Sequence, residues 1–96
     1  MYGTVAKMRV KPGKLADLQK LTADEEMMNI PGLVSTTLYQ FDKDPSELIM
    51  AVVFTDKAAY FKNAESPEQN QRYEEFVALL EGPPEWNDGE VIFPAT

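Results

Sequence analysis

No histidine and no cysteine occur among these 96 residues. That removes the usual near-neutral general base, the thiol nucleophile and most transition-metal sites. The carboxylates show no metal-ligand spacing: Glu25-Glu26 and Glu74-Glu75 are adjacent helical pairs that point in different directions and read as solvated faces. The "PGK" at 12–14 is a turn, too short for a phosphate-binding loop. What remains for chemistry is aromatic and polar: Tyr39, Tyr60, Asn63, Arg72, Tyr73 and Trp86. A tyrosine can donate a hydrogen bond to a phenolate, Asn63 can orient a carbonyl, and Arg72 can hold an anion. The expected ligand is a small aromatic or otherwise apolar organic molecule, with no cofactor and no metal.

Each of these residues also has a structural alternative. Tyr73 continues an apolar helical stripe, and Tyr39 alternates with Thr37 and Phe41 and can pack within a dimer. Tyr60 and Asn63 fit the surface of a short helix, and Arg72 is spaced for an ion pair with Glu68. Trp86 follows Pro83-Pro84 and precedes a turn signal, which puts it at a rim just before the last strand. There it reads first as a packing residue or subunit anchor, and second as a pocket wall.

The elements that must position these groups follow from periodicity. Residues 2–10, "YGTVAKMRV", alternate as a strand with Tyr2, Thr4, Ala6, Met8 and Val10 on one face. A helix runs from about Lys14 to Met28, with Leu15, Leu18, Leu21 and Met28 at helical spacing, and "NIPG" stops it. Residues 33–41 form a second strand, and the Asp44-Pro45 turn leads to a third at 48–54. Asp56 caps the short helix "KAAYFKNA". Ser66-Pro67-Glu68-Gln69 then opens a helix whose stripe is Tyr73, Phe76, Val77 and Leu80, with Gly82 and Pro83 ending it. A final strand covers about Gly89 to Phe93.

The order β-α-β-β-α(α)-β predicts an α+β, ferredoxin-like domain: one four-stranded antiparallel sheet, strands one and three central, helices on one face. A single domain spans residues 1–96, since a second core would not fit. The third strand, "LIMAVVF", is apolar without alternation, so both of its faces need cover. Helices reach only one. A second copy is the expected cover for the other, which predicts a homodimer with sheets packed face to face.

Nine basic and sixteen acidic residues give a net charge of −7, which argues against nucleic acid as a partner. The charge is uneven, +4 over residues 1–20 and −11 over the rest. This reads as a solvated surface with offsetting signs, or alternatively as an anionic-ligand patch around Lys7, Arg9 and Lys11. No apolar run has the length of a membrane span and the N-terminus has no signal-peptide layout, so a cytoplasmic protein with no membrane partner is expected.

The chain resembles the antibiotic biosynthesis monooxygenase-like branch of the dimeric α/β-barrel superfamily. The resemblance rests on "KPGK" (11–14), "IPGL" (30–33), "LYQFDKDP" (38–45), "VVFTDKAAY" (52–60) and "SPE" (66–68), in that order and spacing. It covers nearly the whole chain and implies a ferredoxin-like protomer, a barrel-forming dimer and one pocket per protomer between sheet and helices. Some members oxidise polycyclic phenols with molecular oxygen and no cofactor, others degrade haem, and others are isomerases or ligand sensors. The haem pattern is absent here: its helical histidine and its asparagine on the N-terminal strand are both missing.

Three readings remain open. The first is a cofactor-independent monooxygenase, in which the deprotonated substrate itself supplies the electron to oxygen. The second is a non-catalytic small-molecule-binding or accessory protein, motivated by the missing acid–base residues. The third is an isomerase-type enzyme using a carboxylate or tyrosine.

Overall fold

The alternation of the first strand sets the orientation of the sheet. In the computed structural model, which describes residues 1–23 and 29–93, strand β1 (Tyr2–Arg9) buries Thr4, Ala6 and Met8 and exposes Val5, Lys7 and Arg9. It lies between β3 (Glu47–Phe54) and β4 (Glu85–Glu90), and β2 (Leu33–Gln40) flanks β3. The order β2-β3-β1-β4, antiparallel throughout, is the expected ferredoxin-like arrangement with the first and third strands central. Residues directly opposite one another share a face. Thr4 is opposite Val52 and Asp88, and Ala6 is opposite Met50 and Trp86. This inner face is the one that the helices cover.

Helix α1 (Leu15–Thr22) delivers Leu18 to the core, and α3 (Pro67–Val77) delivers Phe76. They pack with Ala6, Met8, Leu48 and Met50 of the central strands. Between them in sequence lies α2 (Lys57–Ala64), started by Asp56, whose carboxylate accepts from the Ala59 amide at 2.7 Å. Ser66 starts α3 in the same way through the Gln69 amide at 3.1 Å, with Pro67 at the first helical position. Each cap contributes about 1 kcal/mol by meeting an otherwise orphaned donor.

Two boundaries differ from those expected. Helix α3 ends at Val77, not at Gly82, because the following backbone pairs with the end of β1: Lys11 N–H donates to the Leu79 carbonyl and Glu81 N–H to that of Arg9. Leu80 still reaches the core, but from an extended bridge opposite Val10. The last strand comes earlier than Gly89–Phe93 and contains Trp86 within it, because β4 is defined by its pairing with β1 rather than by its own polar composition. The expected helix over 14–28 is seen as α1; Asp24, the Glu25-Glu26 pair and Met28 lie outside the described residues.

Among the described residues, nothing covers the outer face of the sheet. Val5, Val34 and Tyr39 are 45 %, 50 % and 63 % exposed, and Ile49, Ala51 and Val53 of β3 are only half-buried. Two of the three basic residues of the alternative anion patch, Arg9 and Lys11, are engaged within the chain. Arg9 is held by Asp44 at 2.6 Å, with Glu47 and Glu81 within 4 Å, and Lys11 Nζ donates to the Ala78 carbonyl.

Candidate functional site

A cavity of about 370 Å³ opens between the inner face of the sheet and helices α2 and α3. Its size falls at the lower end of small-molecule sites, which run to roughly 300–1,000 Å³. The floor is apolar, made by Met50, Val52 and Phe54 of β3. The run "LIMAVVF" supplies these side chains at every second position, so the strand that anchors the core also lines the site. Strand β4 brings Trp86 and Asp88 to the wall, and α2 brings Tyr60 and Asn63. Gln69, Asn70 and Tyr73 come from α3. Carboxamides and one carboxylate thus face an aromatic and aliphatic surface.

Tyr60 is fixed from several sides. Its ring meets those of Tyr2, Phe54 and Phe61 edge-on, with centroids 5.3, 5.6 and 5.1 Å away. Its hydroxyl donates a 2.8 Å hydrogen bond to Asp88 Oδ1. Burial pushes the Tyr60 pKa up to about 12, with the Asp88 hydrogen bond and charge adding to the rise. The Thr4 hydroxyl pulls the other way, although it falls short of a formed hydrogen bond. Near neutrality Tyr60 is a hydrogen-bond donor and not a base. Among the described residues, Asp88 is the one carboxylate on the cavity wall, and a carboxylate is the type of group there that can act as a base.

Of the six residues singled out by type, four line the cavity: Tyr60, Asn63, Tyr73 and Trp86. Tyr73 and Trp86 stand together, rings tilted by 41° with centroids 6.2 Å apart. Trp86 is 38 % exposed, part of the wall rather than buried in the core. Arg72 borders a smaller adjoining hollow of about 40 Å³ and donates to Gln69 Oε1 at 3.1 Å, so the ion pair expected with Glu68 is replaced by a bond to an amide. Tyr39 lies opposite Ile49 on the outer face, away from the cavity.

Thr4 and Asp88 were not among the residues expected. Asp88 reads as part of an Asn-Asp-Gly turn until the pairing of β4 with β1 is known; alternation from Trp86 would then have pointed it inward. Among the described residues, no group of three or more His, Cys, Asp or Glu side chains could hold a metal ion. No described helix is long and apolar enough to cross a membrane.

Residues 1–79 match the sequence profile of the family described as antibiotic biosynthesis monooxygenase. No curated protein matches the sequence significantly. Solved structures share the fold closely. SnoaB, a cofactor-independent oxygenase from Streptomyces nogalater, superposes with a TM-score of 0.83 at 18 % identity, over 97 % of this chain and 94 % of that one. A conserved protein from Methanosarcina mazei Go1 gives 0.79 at 23 % identity, over 92 % and 89 %. A candidate antibiotic biosynthesis monooxygenase from Chloroflexus aurantiacus gives 0.80 at 21 % identity, over 99 % and 96 %.

Proposed function

We propose, from the premise that this chain belongs to the antibiotic biosynthesis monooxygenase family, that it oxygenates a small aromatic phenol without a cofactor. The observation that carries this reading is the Tyr60–Asp88 pair, 2.8 Å apart on the wall of a cavity otherwise lined by aromatic, aliphatic, amide and threonine side chains. Asp88 accepts the substrate hydroxyl proton, and Tyr60, Asn63 and the Gln69 and Asn70 amides surround the developing oxyanion. The electron-rich anion passes one electron to molecular oxygen, and the two radicals combine into a peroxide. Asp88 returns its proton to the peroxide. Loss of water, its second hydrogen coming from the ring carbon that bears the peroxide, leaves a quinone carrying one of the oxygen atoms, the substrate having supplied every electron. Phe54, Tyr73 and Trp86 hold the ring system, with Trp86 a wall residue.

In the same reading residues 1–96 act as one domain in a cytoplasmic homodimer. The uncovered outer face supports this, since Val5, Val34, Tyr39 and the half-buried residues of β3 form an apolar surface that a second copy would bury. Oxygen uptake with a panel of polycyclic phenols tests the activity: consumption in step with loss of one phenol is expected.

The raised Tyr60 pKa, which denies the site a second base, favours one alternative, a non-catalytic binding protein. Tight retention of an unchanged phenol under oxygen supports that reading. Exchange of solvent deuterium into a bound substrate without oxygen uptake supports an isomerase-type enzyme instead.

A further inference from the structure

Thr4 is 5 % exposed, and its hydroxyl is buried without a hydrogen-bond partner among the described residues. A buried, unmet hydroxyl is destabilising, whereas valine has nearly the same shape, suits a strand equally well and carries no such penalty. Its surroundings suggest a use for it. Thr4 lines the same cavity as Tyr60 and is opposite Asp88, the acceptor of the Tyr60 hydroxyl, across the β1–β4 pair. Thr4 opposes the rise of the Tyr60 pKa caused by burial and Asp88, the sense in which a nearby donor acts. Among the described residues, Asp88 from β4, Tyr2 from β1 and Lys57 from its own helix, whose ammonium lies over the Tyr2 and Phe61 rings, also stand around Tyr60.

Building on the oxygenase reading above, we propose that Thr4 is a positioning residue that completes a hydrogen-bond chain through Tyr60 to the substrate oxyanion. The phenol O–H bond breaks, its proton forms an O–H bond on Asp88, and the electron pair stays on the substrate oxygen. A neutral Asp88 is a weaker acceptor than the new phenolate, so Tyr60 turns its O–H to the phenolate. The Thr4 hydroxyl then donates to the freed Tyr60 oxygen. Each bond in such a chain polarises the next, making Tyr60 a stronger donor. Thr4 and Tyr60 keep their own protons throughout.

Para-nitrophenol, whose absorbance reports its ionisation, is the probe. The wild-type protein is expected to bind it and lower its ionisation midpoint. Thr4→Val should melt no lower than wild type and bind the neutral probe equally well. It should nevertheless lose roughly three- to tenfold in the bound probe's ionisation constant, the worth of one hydrogen bond. Thr4→Ser should restore the shift, and Tyr60→Phe should abolish it. If Thr4→Val lowers the midpoint as far as wild type does, the role of Thr4 is overturned while the pocket chemistry stands. If wild type itself leaves the bound probe unshifted, the pocket chemistry fails and this inference fails with it.

Discussion

Tyr60 Oη and Asp88 Oδ1 lie 2.8 Å apart, joining helix α2 to the edge strand β4 across the cavity. The bond brings together residues 28 positions apart in sequence, and its consequences reach both stability and chemistry.

The first consequence lies in the alkaline range. Burial and Asp88 raise the Tyr60 pKa from 10.0 to about 12. Because the folded value is the higher one, this stabilisation is complete below the unfolded pKa and is lost as pH rises through the folded one. Denaturant unfolding at a series of pH values should show wild-type stability falling between pH 10.0 and about 12 more steeply than that of Tyr60→Phe. Parallel curves for the two proteins would contradict the assignment.

A second titration concerns the acid range. The Arg9 guanidinium, through its hydrogen bond, and the Ser46 amide hold the Asp44 carboxyl below its ordinary value of 3.8. Its contribution is present above that value and is lost as pH falls through the lower, folded one. Asp44→Asn should flatten the acid limb of the stability profile below pH 3.8 relative to wild type. Both partners are exposed, so high salt should shrink the difference.

Two glycines have no room for a side chain. Gly32 has φ +82°, and a Cβ there would lie 2.7 Å from the Ala59 side chain; Gly32→Ala should cost about 1–3 kcal/mol in a denaturant melt. At Gly3 a Cβ would run into the Val52 carbonyl oxygen of the neighbouring strand, which cannot move without opening the β1–β3 pairing. Gly3→Ala should therefore be the more damaging change. Gly82, where a Cβ meets nothing, serves as the control.

Trp86 offers a direct optical readout, being the only tryptophan in the chain. Ligand entering the cavity should change its fluorescence. Trp86→Leu should preserve the fold and weaken binding of an aromatic ligand by about tenfold, consistent with the loss of roughly 1–2 kcal/mol of apolar contact. Unchanged affinity would remove Trp86 from the wall of the functional site.

The outer face predicts an assembly. Ala51 sits near its centre, opposite Val5 and Thr37. Ala51→Glu should leave helical content intact, since its side chain points away from the helices, and should convert a sedimenting dimer into a monomer. A wild-type protein that sediments as a monomer at micromolar concentration would contradict the model of face-to-face sheets.

Much of the fold was legible because its signals are local. The alternation of Thr4, Ala6 and Met8, the apolar third strand, and the caps at Asp56 and Ser66 each carry their own chemistry, and together they imply the sheet order. The illegible parts depend on partners distant in sequence. "EWNDGE" has little intrinsic preference for a strand and becomes one by pairing with β1, while its acidic residues suit an edge that must not recruit another strand. Helix α3 ends where Leu79 and Glu81 find hydrogen bonds on β1. The same limit applied to the cavity. Tyr60 and Asn63 stand out by residue type, but Thr4 is an ordinary strand residue until its buried, unpaired hydroxyl is seen, and Asp88 is a turn residue until β4 is in register.

The most direct test supplies heavy-isotope oxygen gas to the purified, metal-free protein with a bound polycyclic phenol and follows the product by mass spectrometry. A quinone carrying one labelled oxygen atom is expected, with turnover sharply reduced in Asp88→Asn. Recovery of the phenol unchanged after prolonged incubation, or equal labelling with and without protein, would contradict it.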